Sequence, residues 1–153
     1  MQSMTTRFEA RDPLFEQRVR ESFRMQPLMA FIGAELVAVT PGRCEIRLPF
    51  RNELAQQNGF FHGGIIGTLA DNAGGFAAYS LMPHDAGVLT VEYKLNLMAP
   101  ADGEMLRAEG DVVRAGRNLV VSRAEVHVAQ GDRWVHCASM QQTLMTMHGK
   151  GVS

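Results

Sequence analysis

One segment constrains the fold of this chain more than any other: the apolar run from Gly64 to Met82 has the spacing of a single long helix. Its large apolar residues recur near helical spacing at Ile65, Leu69, Phe76 and Leu81. Gly67, Gly74 and Gly75 interrupt the run, and each glycine destabilises a helix by up to about 1 kcal/mol relative to alanine. A helix that tolerates this cost needs close backbone packing, so we expect it to lie at the centre of the fold.

Polar and apolar residues alternate on both sides of this helix, which predicts strands. The expected strands cover about residues 34–39, 44–50, 89–97, 104–114, 118–129 and 134–145. Turn sequences containing glycine separate several of them and favour antiparallel hairpins. One long helix and about six antiparallel strands predict an α+β domain in which the sheet wraps around the helix.

The strand at 89–97 has a regular alternation. Its apolar residues fall on one face (Leu89, Val91, Tyr93, Leu95, Leu97) and its polar residues on the other (Thr90, Glu92, Lys94, Asn96). Strict alternation therefore predicts that Thr90 and Tyr93 point to opposite sides of the sheet.

The residues before the first strand predict a helical extension over about 12–32, within a single domain spanning 1–153. Asp12-Pro13 has the pattern of an N-cap followed by proline at the first helical position, and this helix is expected to run to about Arg24. A second turn over about 28–32 ends at Gly33.

Charge and composition exclude several classes of protein. The 15 Lys+Arg nearly balance the 16 Asp+Glu, whereas nucleic-acid binders carry a basic excess. No run of about 18 apolar residues is present, which predicts no membrane span. Residues 1–7 lack the apolar core of a secretory signal, so we expect a cytoplasmic protein. The histidines, Cys44 and Cys137 lack metal-ligand spacing, which predicts no metal site.

His62-Gly63-Gly64 directly precedes the long helix. Small residues and free backbone N–H groups at the positive end of a helix dipole can bind a carbonyl oxygen that gains negative charge. The tripeptide is also compatible with a tight turn that merely leads into the helix.

Asp71 lies about two turns into the same helix, among apolar residues. A carboxylate at such a position is unfavourable unless it is partnered or functional, and it is placed to act as a general base or nucleophile. The alternative is a solvated or capped aspartate at a gap in the helix face.

Gly63 and Asp71 are separated by roughly 12 Å along a helix. An oxyanion donor and a base must both lie within about 3 Å of the reacting centre. If both residues are catalytic, Gly63 of one subunit must therefore face Asp71 of another, and dimerisation becomes part of the mechanism.

The segment from Gln56 to Gly64, followed by Leu69-Ala70-Asp71, resembles the hotdog-fold acyl-CoA thioesterases of the phenylacetyl-CoA-pathway (PaaI-like) type. The resemblance extends over roughly residues 33–145, including the order of elements and the segments 91–100 and 114–117. It implies a hotdog fold and hydrolysis of acyl thioesters.

The resemblance also implies roles for individual residues. The Gly63 N–H would polarise the thioester carbonyl, His62 would position the loop, and Asp71 would act as nucleophile or as base on water. Thr90 would help to hold the water or carboxylate, and Gln56 falls where several members carry an orienting asparagine. The implied substrate-binding residues are Asn58, Gly64, Arg114, Arg117 and Asn118.

Arg114 and Arg117 flank a turn where family members often contact the phosphates of CoA. With Asn118 they offer donors suited to phosphate. The alternative is that both arginines are solvated hairpin residues.

We expect an acyl-CoA thioesterase for small, medium or aryl acyl groups, which needs no cofactor because a thioester is already activated. The expected assembly is a homodimer at minimum, with a homotetramer as the larger state. Two alternatives stay open. One is a hydratase or dehydratase of acyl thioesters that uses His62 and Asp71, and the other is a non-catalytic acyl-CoA-binding protein.

Overall fold

The computed structural model describes residues 8–151 and has one long helix packed against one sheet. The helices are α1 (Phe15–Arg24), α2 (Pro27–Ile32) and α3 (Gly63–Tyr79), with a short 3₁₀ turn at Asn52–Leu54. The strands are β1 (Glu35–Thr40), β2 (Arg43–Pro49), β3 (Gly87–Leu97), β4 (Met105–Ala115), β5 (Leu119–Gln130) and β6 (Arg133–Met147).

The six strands form one antiparallel sheet in the order β1-β2-β4-β5-β6-β3. The long helix α3 contacts five of them, from β2 across to β3. The α+β prediction of about six antiparallel strands around one helix is therefore confirmed. β1 and β3 are the edge strands of this sheet. Along the chain, α3 lies between β2 and β3.

Close backbone packing explains how α3 can be rich in glycine and alanine. Ala70, Ala73 and Ala77 are fully buried against the sheet. On the sheet side, a Cβ at Gly110 of β4 would lie 2.2 Å from the Ala73 carbonyl oxygen, so only glycine lets the strand approach the helix this closely. The predicted central, buried helix is confirmed.

The ends of α3 differ from the prediction. The helix begins at Gly63 and ends at Tyr79 rather than Met82. Leu81 and Met82 continue the apolar pattern, but their N–H groups bond to carbonyls three residues back, as in a tight turn. Ser80 is the C-cap residue that follows Tyr79, and its hydroxyl accepts a hydrogen bond from the Gly42 N–H at 2.8 Å.

The start of the first helix is also corrected. α1 begins at Phe15, and the residue at its N-cap position is Leu14 rather than Asp12. The Asp12 carboxylate accepts a hydrogen bond from the Leu14 N–H at 2.9 Å and forms an ion pair with Arg18 at 3.0 Å. Asp12 therefore organises the turn before the helix and not the first helical turn. As predicted, α1 ends at Arg24.

The strict alternation predicted for β3 is wrong at one point. A β-bulge interrupts the pairing of β3 with β6 between Thr90 and Glu92, so Thr90 pairs with Leu144 and Tyr93 with Gln142. Directly paired residues share a face, and a bulge shifts the alternation by one residue. Thr90 therefore lies on the same, helix-facing side of the sheet as Tyr93.

No helix in the described part of the chain is both long and apolar enough to cross a membrane. The expectation that the first seven residues carry no secretory signal falls on a segment outside residues 8–151.

Candidate active site

His62 caps the N-terminus of α3. Its ring Nδ1 accepts a hydrogen bond from the Gly64 N–H at 2.8 Å, and its backbone is extended, as is usual at an N-cap. A neutral histidine that accepts at Nδ1 carries its proton on Nε2. His62 thus holds the glycine pair at the start of the helix, and one of its two ring nitrogens is occupied in doing so.

Gly63 is the first residue of α3, and its N–H donates to no group within residues 8–151. A Cβ at this position would lie 2.7 Å from Leu97 Cδ1, so a larger residue here would displace the end of this exposed side chain. An unbonded N–H at the positive end of a helix dipole can donate to an oxygen that develops negative charge.

Gln56 precedes α3 and lines the same cavity as Gly63. Its Oε1 accepts hydrogen bonds from the backbone N–H groups of Asn58 and Phe60, so this oxygen maintains the shape of its own loop. The Asn58 side chain is exposed, and only its backbone takes part in these contacts. The amide nitrogen of Gln56 takes no part in these loop contacts.

Asp71 is half-buried in the middle of α3, and its carboxylate is partnered. Oδ1 accepts a hydrogen bond from Thr90 Oγ1 at 2.8 Å and another from Gln142 Nε2 at 2.8 Å. Among residues 8–151, no donor contacts Oδ2. These contacts do not fit a freely solvated aspartate, and they fit both a catalytic carboxylate and one that is capped for structural reasons.

Sequence analysis missed Gln142 and Ser122, which support Asp71 from the sheet. Ser122 is fully buried, Gln142 is 1% exposed, and the Ser122 hydroxyl donates to Gln142 Oε1 at 3.0 Å. A signal was present in the sequence, because Gln142 stands between Met140 and Leu144 on the apolar face of its strand. A polar residue in an inward-facing row needs a polar partner.

A cavity of about 330 Å³ opens beside Asp71. Asn72 lines this cavity, and its buried Oδ1 has no hydrogen-bond partner within the described residues. The remaining walls consist of Gln26, Gly75, Phe76, Val88, Leu89, Thr90 and Leu144. The site therefore combines one carboxylate with an open cavity of mixed lining, in which Phe76, Val88 and Leu144 provide apolar surface for an acyl group.

Asp71 and Gly63 line different cavities of the protomer. The Gly63 cavity is bounded by Gln56, Phe61 and the residues that follow β3, whereas the Asp71 cavity lies further along α3. One protomer thus holds two separate parts of the predicted site, an N–H donor and a carboxylate.

Arg114 and Arg117 lie at the far end of β4 and in the turn after it, and both are exposed. Arg117 lines a third cavity near the end of α3, and the Asn118 side chain contacts His148 Nε2 at 3.2 Å. None of these three residues lines the cavity of Asp71 or that of Gly63.

Other reactive groups lie away from these cavities. Cys44 and Cys137 are free thiols on buried strand positions, and burial raises the pKa of both, that of Cys137 to about 11. Neither thiol is a ready nucleophile near neutral pH. In the described part of the chain, no three His, Cys, Asp or Glu residues come together as a metal site.

Comparison with known proteins gives the family. Residues 58–135 match the thioesterase superfamily. A solved thioesterase family protein from Silicibacter pomeroyi is similar to this chain at 43% identity and a TM-score of 0.87, covering 88% of this chain and 99% of that one. The 1,4-dihydroxy-2-naphthoyl-CoA hydrolase of Listeria monocytogenes is 27% identical over 61% of this chain and 76% of its own length.

The Escherichia coli PaaI protein from the phenylacetic acid degradation operon has a TM-score of 0.79 at 15% identity, covering 88% of this chain and 94% of that one. At this identity the likeness concerns the fold alone. The family match covers about half of the chain and includes all of α3, with both Gly63 and Asp71. This chain belongs to the thioesterase superfamily and has its hotdog fold.

Proposed function

We propose that this protein is an acyl-CoA thioesterase of the PaaI-like type, which hydrolyses small, medium or aryl acyl-CoA esters at a site shared by two subunits. The observation that carries the proposal is the Asp71 carboxylate, which is held through one oxygen at the wall of a cavity that also has apolar lining residues. A carboxylate with one occupied and one open oxygen can attack a carbonyl or activate water.

The proposed reaction divides the work between the subunits. The Gly63 N–H of one subunit binds the thioester carbonyl oxygen, and Asp71 of the other acts on the carbonyl carbon. As a base, Asp71 takes a proton from water while the hydroxide adds; as a nucleophile, it forms an acyl anhydride that water then cleaves. In both routes the C–S bond breaks, CoA leaves as the thiolate, and no cofactor is required.

The edge strand β3 supports a site between subunits. Val91, Tyr93, Leu97 and Met98 at this edge are each about half exposed, although they are large and apolar. An unpaired edge with apolar side chains favours pairing with another chain. Leu97 also contacts the Gly63 position, so a partner bound here would lie next to the N–H donor. We propose a homodimer at minimum, with a homotetramer as the larger assembly.

The lining of the Asp71 cavity supports a carbon-rich acyl group. Phe76, Val88 and Leu144 form apolar walls, and the Listeria relative carries the name of a hydrolase of an aromatic acyl-CoA. Arg114, Arg117 and Asn118 are proposed to contact the CoA phosphates. Gly64 donates its N–H to His62, so this N–H is not free to bind substrate. Gly64 is proposed to contribute by having no side chain, which lets the substrate come close to the backbone.

The test is a panel of acyl-CoA esters, with released thiol measured by a chromogenic disulfide and hydration of an enoyl-CoA measured in parallel. We expect thiol release that depends on acyl structure and no hydration. Hydration without thiol release would support the hydratase alternative. Binding without either reaction would support an acyl-CoA-binding protein, and both outcomes would contradict the proposal.

A further inference from the structure

We propose that Gln142 is a positioning residue that determines which oxygen of Asp71 reacts. This inference rests on the proposed function, since it assigns a role to Gln142 in the same site. Gln142 itself does not line the Asp71 cavity; it lies behind the carboxylate and is 1% exposed. It acts on the reaction through Asp71.

Both donors to the carboxylate bind the same oxygen. Gln142 Nε2 and Thr90 Oγ1 each lie 2.8 Å from Asp71 Oδ1. Two donors on one oxygen fix the carboxylate plane and leave the lone pairs of Oδ2 without a donor among residues 8–151. Because the two oxygens are chemically equivalent in an isolated carboxylate, the hydrogen bonds decide which one is available.

Ser122 orients the amide of Gln142. Its hydroxyl donates to Gln142 Oε1 at 3.0 Å, so the opposite end of the amide, Nε2, is directed at Asp71. The same nitrogen also reaches the Asp71 backbone carbonyl at 3.5 Å. The chain Ser122–Gln142–Asp71 thus runs from the buried sheet to the carboxylate with defined donors and acceptors.

Gly74 makes room for this arrangement. A Cβ at position 74 would lie 1.9 Å from Gln142 Oε1 and 2.8 Å from Ser122 Oγ. At the neighbouring Gly75, a Cβ would meet Leu144 Cδ2 at an ordinary 3.6 Å. Any side chain at position 74 would therefore collide with the Gln142 amide, whereas one at position 75 would not. This explains why the helix has a destabilising glycine at position 74.

Packing alone does not explain a glutamine at this position. Its neighbours in the inward-facing row, Met140 and Leu144, are apolar and buried. A buried amide is unfavourable unless it is hydrogen-bonded, and an apolar side chain of similar length fills the same space without that requirement. The hydrogen bond to Asp71 is the interaction that an apolar residue cannot replace.

The first test replaces the amide by a side chain of similar length, Gln142→Met, with Gln141→Met as the matched control. Gln141 is the exposed neighbour that points to the other face of the sheet. For Gln142→Met we expect kcat to fall by on the order of 10- to 100-fold, because the reacting oxygen is misplaced. KM should change by less than about twofold, since uniform binding is retained. Gln141→Met should behave as wild type.

The second test has a signature that a purely structural role lacks. In Gln142→Glu the group that faces Asp71 is a carboxyl in place of an amide donor. When protonated it can donate to Oδ1, and when ionised it repels the neighbouring carboxylate. The ratio of variant to wild-type kcat should therefore rise as the pH is lowered. A structural role predicts a ratio that does not depend on pH.

Ser122→Ala keeps the inference testable if the Gln142 variants fail to fold. It removes only the hydroxyl that orients the amide, and we expect a smaller loss of kcat than in Gln142→Met, at unchanged KM. If wild type hydrolyses acyl-CoA while Gln142→Met or, failing that, Ser122→Ala keeps its full kcat, the positioning role is overturned and the proposed function stands. If wild type cleaves no acyl-CoA, the proposed function is overturned and the positioning role with it.

Discussion

Asp71 is the residue on which the proposed activity depends. Its helix supplies a rigid backbone, and the sheet supplies two neutral donors to one of its oxygens. A rigid element with supporting hydrogen bonds holds a reactive group more accurately than a loop does.

Replacing Asp71 with asparagine keeps the side-chain size and removes the charge and the basic oxygen. We expect Asp71→Asn to lower kcat at least about a hundredfold, the usual scale for a base or nucleophile, while the melting temperature stays close to that of wild type. Steady-state kinetics and thermal unfolding measure both quantities. Asp132→Asn in an exposed hairpin turn is the control, and a folded Asp71→Asn enzyme with near-normal kcat would exclude Asp71 from the mechanism.

Arg114 and Arg117 are expected to bind CoA phosphates equally in the ground and transition states. The double alanine variant should then raise KM and leave kcat nearly unchanged, because only uniform binding is lost. Salt should weaken substrate binding by wild type more than by the variant. An acyl-pantetheine substrate, which lacks the nucleotide phosphates, distinguishes phosphate-binding arginines from solvated hairpin residues. If the double variant raises KM equally for acyl-CoA and acyl-pantetheine, or for neither, the phosphate role is contradicted.

His127 should make the stability of the fold depend on pH. Burial lowers the pKa of His127, the stacked ring of His136 and the charge of Arg107 act in the same direction, and Glu109 and Glu125 oppose them. As the pH falls, the unfolded chain therefore binds a proton at His127 at a higher pH than the folded chain does. The stability that depends on neutral His127 is fully present above about pH 6.5 and is lost as the pH falls below it.

Urea unfolding at pH 7.5 and pH 5.5 measures this effect. His127→Gln should show a smaller decrease in the free energy of unfolding between the two pH values than wild type. His84→Gln, in an exposed loop, should leave the decrease unchanged. An identical decrease in wild type and His127→Gln would mean that other groups carry the pH dependence.

At the scale of elements, α3 combines sequence features that usually oppose each other. Its glycines weaken it as a helix, yet it is the element that touches most of the sheet. The bulge in β3 is another irregularity with a positive effect. It interrupts the pairing with β6, and it places Thr90 on the helix-facing side of the sheet. In both elements a local loss of regularity positions a group next to Asp71.

The neighbouring glycines of α3 should respond differently to alanine. Gly75→Ala adds a Cβ in ordinary contact with Leu144, so it should raise the free energy of unfolding by up to about 1 kcal/mol through helix propensity. Gly74→Ala must displace the Gln142 amide, so it should be less stable than Gly75→Ala and should lose kcat. Chemical denaturation of both variants is the measurement, and equal stabilisation would contradict the packing described for Gly74.

At the scale of the whole molecule, the two parts of the site lie in separate cavities of one protomer, and the edge strand β3 is open. The unpaired edge and the half-exposed apolar side chains on it are the features on which the proposed dimer rests. In such a dimer each active site takes its N–H donor from one chain and its carboxylate from the other.

Subunit complementation tests the shared site. Asp71→Ala and Gly63→Val subunits should each form inactive homodimers, because each disables both copies of the site. Mixed dimers should regain activity, up to about half of wild type, because one site then combines an intact Gly63 with an intact Asp71. Verified heterodimers that stay inactive would contradict a site composed of one Gly63 and one Asp71 from different chains.

Local patterns were enough to predict the elements and to single out Gly63 and Asp71. Helical spacing from Ile65 to Phe76 and alternation in the flanking segments reflect local geometry, which is why α3, the six strands and the α+β class were predictable. Gly63 and Asp71 were noticeable for the same reason, since a glycine pair before a helix and a carboxylate among apolar residues are local anomalies.

The surroundings of Asp71 depend on contacts between distant segments, which no local pattern reveals. Gln142 lies 71 positions away along the chain and reaches the carboxylate because β6 runs beside β3 under the helix. Thr90 reaches it because of a bulge, and alternation along one strand contains no information about the register of its partner. Periodicity reports which face a side chain takes on its own element, whereas hydrogen bonds between distant segments depend on strand order and register, which the whole fold sets.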